Sequence, residues 1–582
     1  MPSIKNVILT LYITIIISLL FTCSKPHSNQ LVVEPYSEVG EYGGSLVTGW
    51  LGLDDKWGAS KFSEEYLMTF DKTGHKVIGN LVDSWKVSSD NTEYNFHLRE
   101  GIFWSDGEPF TTDDINFFWK EILNGTYQEY LNRAVWLVKK ESVSLIVDDK
   151  YNFTIKFKEP TSYFLRTLIT EFKEVFLPEH YYKQILPKYI GEEKAMLLAK
   201  ELGFSDLDTY LKWIINFGFL YPGVPTLRPW VAVNNPTEPI FIMERNPYYW
   251  KVDSLGNKLP YIDDIKFINS INTENIESLI YQGIINFQAR HLKYKELNTL
   301  SYDHTDYYIL DTKENYTFHY SLQFNLQVQD PYLNDLFNNK KFRTAISLGI
   351  NRSVFNDKRV EQVCLPQSSN FYLENWGKQA VDYDYKASIN MLKSLGIVYI
   401  DGIAHRGDNL EPLTIYLDSI EEYDQTIVEL IEMLHVIGIT AEFRSYSRTS
   451  LVEAMNRNNM NIYVGDFIPE SFLFDATSLI PLRPKSAIFG PINDSSTLSG
   501  DILKLYNVWD SLDGSEGDTN KIQEIYQIYE RNLWVISTKP SELINNAVIV
   551  NKNIQNLEPN LLFSDYVRSP GNLRLYQVWI EK

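Results

Sequence analysis

Leu413-Thr-Ile-Tyr-Leu-Asp418 alternates apolar and polar residues as a strand does, and Ile427, Leu430, Ile431 and Leu434 then fall at helical spacing. Gly438 stands where a helix C-cap belongs. Ile439, Ala441 and Phe443 resume the two-residue period, a helical stretch runs from Leu451 to Arg457, and Ile462 and Val464 form a further strand ending at Gly465-Asp466. That βαβαβ order predicts a parallel sheet covered by helices. Such sheets bind ligands in the crevice beyond the carboxyl ends of their strands, which singles out Asp418 and Asp466. Each reads either as a ligand contact or as a turn-forming carboxylate at its strand exit.

The first half has a different rhythm. Trp85, Val87, Tyr94, Phe96 and Leu98 alternate around Ser88-Ser89-Asp90-Asn91, a hairpin pattern. Thr111 and Asp114 make a capping-box start for a helix whose Ile115, Phe118, Trp119 and Ile122 share one face. Phe153, Ile155 and Phe157 mark another strand. Two α/β bodies in one chain predict a bilobed protein with a cleft between them.

At 582 residues, 44% hydrophobic and 22% charged, the chain has a globular composition and exceeds the length of one core. Its net charge of −21 lacks the basic footprint that nucleic acid requires. Cys23 and Cys364 are too few for a disulfide scaffold or a four-thiolate zinc site. The 38 Tyr and 13 Trp suit either an aromatic core or the sandwiching of flat ligands.

Val7 to Phe21 carries no charge, follows Lys5 and precedes Cys23 and the polar run Ser24 to Gln30, which is the layout of a secretory signal. It falls short of the roughly 20 apolar residues of a transmembrane helix. Leu20-Phe21-Thr22-Cys23 resembles the lipobox of bacterial lipoproteins, which implies cleavage before Cys23 and acylation on it. Residues 1–22 are then a signal peptide and 23–41 a lipidated tether to the membrane, leaving the body outside the cytoplasmic membrane. Cys364 is left without a partner.

Catalytic signatures are missing. H-E-x-x-H, G-x-S-x-G and G-x-x-x-x-G-K-[ST] do not occur, and the nine histidines are scattered. The sequence predicts no catalytic residue, no metal site and no cofactor. The competing enzyme reading is a two-carboxylate glycosidase. Asp113-Asp114, Asp263-Asp264 and Glu421-Glu422 read more simply as helix starts and solvated faces.

Leu81-Val-Asp-Ser-Trp85, with Phe96-His-Leu-Arg-Glu-Gly-Ile-Phe-Trp104-Ser-Asp-Gly-Glu-Pro-Phe110-Thr-Thr-Asp-Asp-Ile115, resembles the signature of family 5 extracellular solute-binding proteins, the peptide-binding components of ABC importers. Met243-Glu-Arg-Asn-Pro-Tyr-Tyr-Trp250, running on to Asp263, and Phe342-Arg-Thr-Ala-Ile346 with Ile350-Asn-Arg352 are similar to two further motifs of that family. The resemblance covers the chain from about Tyr42 onward. It implies an α/β, bilobed fold of the periplasmic-binding-protein type II-like kind, in its large three-subdomain class, with a hinge between the lobes. Lobe I is expected over 42–312, lobe II over 313–550 and a C-terminal return to lobe I over 551–582. The crossings are placed near Thr312 to Thr317 and Ala547 to Asn556.

The same resemblance implies a monomer that takes a peptide between its lobes and hands it to ABC permease subunits. Asp466, in Tyr463-Val-Gly-Asp466, lies where the family places a carboxylate for a peptide amino terminus. Ile468-Pro469-Glu470 follows it here in place of the family's Asp-Pro pair. Pro225-Thr-Leu-Arg-Pro-Trp230 likewise replaces Gly-Pro-Tyr and, with Gly256-Asn-Lys-Leu-Pro260, resembles a branch whose ligands include oligosaccharides. Trp50 is expected to face the cleft, and Arg483 to meet an anionic ligand group. A surface sensor or adhesin with the same fold is the remaining alternative.

Overall fold

The structure, a computed structural model, describes residues 31–33, 38–70, 77–130, 143–158, 164–165, 168, 174–291, 306–311, 319–355, 382–419, 425–447, 450–451, 454, 457, 459–467, 500–511, 518–540, 547–557 and 574–582. Ser45–Trp50 pairs in parallel with Asp264–Asn269, which continues antiparallel through Ile240–Arg245 to Trp230–Ala232. Leu46, Phe241, Met243, Ile265 and Phe267 stand in register on one face of this sheet and are buried. The two-residue period of the strands produces that apolar face.

A second sheet sets two antiparallel hairpins side by side in the order Val143–Val147, Asn152–Phe157, Glu93–Leu98, Val82–Val87. The expected hairpin closes at Asn91, whose φ of 53° is left-handed, with the Ser88 hydroxyl accepting the Glu93 N–H at 2.9 Å. The expected helix start is also present. Thr111 Oγ1 accepts the Asp113 N–H at 3.2 Å and the Asp114 carboxylate accepts the Thr111 N–H at 3.0 Å. Ile115, Phe118, Trp119 and Ile122 are all buried.

The second-half sheet has the order Thr440–Ser445, Thr414–Ser419, Ile462–Phe467, His319–Phe324, Val535–Pro540. Its first three strands are mutually parallel, as the βαβαβ rhythm predicts, with Thr414–Ser419 between the other two. The whole sheet is mixed, because His319–Phe324 enters from the other end and runs antiparallel to both neighbours. Gly438 caps Gln425–Val436 with φ 85° and its N–H on the His435 carbonyl at 2.9 Å. Only glycine takes that backbone without steric cost.

Between these bodies lies a three-stranded sheet of Phe287–Gln288, Ala547–Asn551 and Tyr307–Asp311. The chain leaves it after Asp311, begins the second-half sheet at His319, quits that sheet at Pro540 and returns at Ala547. The two crossings, 312–318 and 541–546, lie outside the described residues. The boundary expected at residue 550 cuts Ala547–Asn551, and sheet pairing keeps that strand whole on the first-lobe side. The N-terminal boundary moves as well. Leu31–Val32 pairs with Lys251–Val252, so the stretch expected to be tether as far as residue 41 belongs to the body from Leu31.

Candidate functional site

Both large sheets turn the carboxyl ends of their parallel strands toward the crossings. In the first lobe these ends are Trp50 and Asn269, paired in register. In the second they are Ser419, Ser445 and Phe467, the last opposite His319, where the chain arrives from the crossing. The crevice that such ends form is the region where open α/β sheets take their ligands.

Two amide side chains fasten the first-lobe sheet to the crossing sheet. Asn286 Oδ1 accepts the Val47 N–H at 2.8 Å while its Nδ2 donates to the Ser45 carbonyl at 3.0 Å. Two residues on, Gln288 Oε1 accepts from Thr48 Oγ1 at 3.0 Å and the Gly49 N–H at 2.8 Å, and Nε2 donates to the Gly49 and Arg290 carbonyls. Their two-residue spacing puts both on one side of the strand, where they satisfy edge groups of Ser45–Trp50 that another strand would otherwise pair.

Beyond Gln288, Arg290 and His291 converge on Asp55. Arg290 Nη2 and Nε donate to its carboxylate at 2.8 and 3.3 Å, and His291 Nε2 lies 2.6 Å from Oδ2. Burial pushes the Asp55 carboxyl up, but the His291 hydrogen bond and the Arg290 charge outweigh it and hold it below the usual carboxylate range. His291 has a left-handed φ of 58°. Thr48, Trp50, Asp55, Phe267, Gln288 and Arg290 line a recess at this joint. The arrangement offers guanidinium and imidazole donors held in place by a carboxylate, beside aromatic rings. With these donors already on Asp55 and room for about one water molecule, the cluster braces the joint.

The residues singled out from the sequence have separate fates. Trp50 lines the recess but is only 1% exposed, packed against Phe241 and Phe267 with its indole N–H on the Asp55 carbonyl at 2.8 Å. The expectation that Trp50 faces the cleft is therefore corrected to a core ring beneath the joint. Asp418 is also corrected. It is 0% exposed, its carboxylate taking Arg444 Nε and Nη2 at 2.7 and 3.0 Å and the Asn461 N–H at 2.8 Å. Burial pushes its carboxyl up against the pull of Arg444. The carboxylate thus ties neighbouring strands together instead of facing solute. Asp466 lies near the carboxyl end of its strand, opposite Tyr320. Arg483, Cys23 and Ile468-Pro469-Glu470 lie outside the described residues.

Residues 76–487 match the sequence profile of the bacterial extracellular solute-binding proteins, family 5 middle region. The chain belongs to family 5. Among its relatives, the periplasmic alpha-galactoside-binding protein of Rhizobium meliloti is 30% identical over 228 residues, 39% of this chain and 30% of that protein. The periplasmic oligopeptide-binding protein OppA of Salmonella typhimurium is 24% identical over 322 residues, 52% of this chain and 50% of that protein. The matches thus span a third to a half of these curated relatives. A solved oligopeptide-binding protein OppA superposes with a TM-score of 0.68 at 26% identity, covering 95% of this chain and 93% of its own. MelB of Agrobacterium fabrum, solved with stachyose, gives a TM-score of 0.74 at 18% identity over 95% and 87% of the two chains, a likeness of fold. The bilobed α/β fold is that of family 5 binding proteins.

Family motifs serve largely as scaffold in this chain. Trp104 is buried with its indole N–H on Asp114, and Asn246 donates to the Arg228 carbonyl at 2.8 Å. Arg343 and Arg352 are buried among backbone carbonyls, Arg343 on those of Phe337 and Asn532 and Arg352 on those of Ser347 and Ser537. The sequence reading missed Asp55, Gln288, Arg290 and His291. Polar residues alternating with Ile285, Phe287 and Ala289 were the available signal for Gln288. Among the described residues no group of His, Cys, Asp and Glu is placed to hold a metal, and no helix is long and apolar enough to cross a membrane.

Proposed function

We propose that this protein is the solute-capturing component of an ABC importer, a monomeric lipoprotein held outside the cytoplasmic membrane by Cys23, and that it delivers a peptide to permease subunits without changing it chemically. What carries the reading is that the chain passes from the three-stranded sheet to the second-half sheet and returns to it. Solute touching both lobes stabilises the closed state by its differential affinity for that state, and closure then reports loading to the permease. Asp466 is the residue assigned to the peptide amino terminus, with backbone hydrogen bonds supplying side-chain-tolerant affinity. Arg483 is assigned to an anionic group of the ligand.

The second reading keeps the fold and mechanism but makes the solute an oligosaccharide. It is favoured by the relative that is 30% identical and named for binding alpha-galactosides. Calorimetric titration of the body from Ser24 onward with pooled short peptides, and separately with pooled oligosaccharides, decides between them. Saturable heat with peptides that Asp466→Ala abolishes supports the first reading, and heat with sugars alone replaces it with the second. Silence from both pools rejects solute capture of either kind and favours a sensor or adhesin.

A further inference from the structure

The N-terminal segment is fastened to one end of the first-lobe sheet. Leu31–Val32 pairs with Lys251–Val252, and Asn556 holds the Glu38 N–H and carbonyl at 3.3 and 2.7 Å. Gly40 lies so close to Trp579 that a Cβ there would stand 2.5 Å from the indole. Tyr42 then donates its hydroxyl hydrogen to the Lys258 carbonyl at 2.5 Å.

Val252 and Lys258 bridge each other across a loop whose shape Asp253 sets, its carboxylate accepting the N–H groups of Leu255 and Asn257 at 2.8 and 2.9 Å. This braced loop carries an aliphatic tip. Leu255 is 74% exposed, flanked by Val32 at 51% and Tyr42 at 42%. Lys258, Lys582 and Arg245 stand at this end with the carboxylates of Glu38, Glu41, Asp253, Asp263 and Glu581, Arg245 pairing Asp263.

The cleft is at the other end of the sheet. Tyr42 precedes the amino end of Ser45–Trp50, whereas the joint with Asp55 and Arg290 begins at Trp50, so the six-residue strand separates them by about 20 Å. The path to the second lobe also leaves from the carboxyl side, after Asp311. Cys23 stands eight chain steps before Leu31, a reach of at most about 28 Å. A body of this length is on the order of 60 Å across, so an anchor at Cys23 keeps the end bearing Leu31 nearest the membrane.

We infer that, with Cys23 acylated and the permease not engaged, this end of the first lobe rests on the bilayer, Leu255, Val32 and Tyr42 entering the headgroup layer. The inference rests on the lipoprotein reading of Cys23 and is independent of the ligand. An exposed aliphatic tip beside a tyrosine and a lysine is the combination that partitions into a membrane interface.

The test uses the full chain, exported from a bacterial host and reconstituted in phosphatidylethanolamine and phosphatidylglycerol vesicles containing a nitroxide-labelled lipid. In a Cys364→Ser background, Leu255→Cys, Val32→Cys and, on the second lobe, Ile400→Cys are each labelled with an environment-sensitive fluorophore. Quenching at 255 and 32 several-fold stronger than at 400 is the expected result. Equal quenching at all three positions, or none at 255 and 32 in acylated protein, overturns the inference and leaves the anchor standing. Mass spectrometry of the N-terminal peptide reads the anchor separately, and an unmodified Cys23 overturns both.

Discussion

Arg444 grips Asp418 with two parallel hydrogen bonds, 2.7 and 3.0 Å long, joining adjacent parallel strands where they approach the cleft. Arg444 also lies 4.2 Å over the Tyr416 ring and donates to the Asn459 carbonyl at 3.0 Å. Arg444→Met leaves a fully buried carboxylate without a counter-charge, at a cost of about 4 kcal/mol. That loss is pH-dependent. Burial already raises the Asp418 carboxyl, and removing the guanidinium raises it further, so the destabilisation is full at pH 7.5 and shrinks below the raised value as the group protonates. Urea unfolding at pH 7.5 and pH 4 reads it, and an equal loss at both pH values counts against this account.

Glu65 and Lys251 form a comparable lock in the first lobe. Lys251 Nζ lies 2.9 and 3.0 Å from the two carboxylate oxygens, Asn80 adds a bond at 2.7 Å, and the Tyr249 hydroxyl also donates to Glu65. The ammonium sits 4.5 Å over the ring of Tyr576, which comes from the C-terminal return. Lys251→Met is expected to lose about 4 kcal/mol because Glu65 is left buried without its ion-pair partner. Adding Glu65→Gln recovers part of that loss. Additive single and double variants in chemical denaturation would reject the coupling.

Elements set by near neighbours were legible in the sequence. Thr111 and Asp114 lie three residues apart, and Gly438 follows its own helix, so local patterns located both caps. The parallel run of Thr414–Ser419, Thr440–Ser445 and Ile462–Phe467 followed from βαβ handedness and spacing. Their order, and the antiparallel intrusion of His319–Phe324, depend on a strand about a hundred residues earlier that the local period does not encode. The same divide runs through the site. Asp418 was placed correctly at a strand exit, but its burial comes from Arg444 on the next strand and Asn461 beyond it. Asp55 and Arg290 meet across a separation of 235 residues, and no spacing rule joins them.

Asp114 gives the first lobe a specific pH response. Burial raises its carboxyl from 3.8 to about 6, against the N–H groups of Glu179, Thr111 and Trp104 that favour the charged form. The folded chain therefore holds this proton more tightly than the unfolded chain. Its contribution is fully present below about pH 4 and is lost as pH rises through about 6, a fall of roughly 3 kcal/mol for two units. Asp114→Asn lacks the slope whatever its constant offset. The difference in unfolding free energy between wild type and variant should decline across pH 4 to 7, and a flat difference rejects the assignment.

Gln288 tests whether the joint itself governs binding. Its amide serves Thr48, both the N–H and carbonyl of Gly49, and the carbonyl of Arg290, all at the carboxyl end of the first strand. Gln288→Leu keeps the volume and strands these groups, of which the Gly49 N–H is buried, at about 1 to 3 kcal/mol. Asn286→Leu removes two bonds nearer the amino end, at Val47 and Ser45. Gln288→Leu should lose more stability, since its buried amide makes four bonds and that of Asn286 two. The two variants should also differ in binding, because only Gln288 holds the carbonyl of Arg290 and so sets where Arg290 meets Asp55. Calorimetry with whichever pool binds the wild type is expected to show affinity falling about tenfold in Gln288→Leu and staying within twofold in Asn286→Leu. Equal losses of affinity would mean that both amides act only through the stability of the lobe.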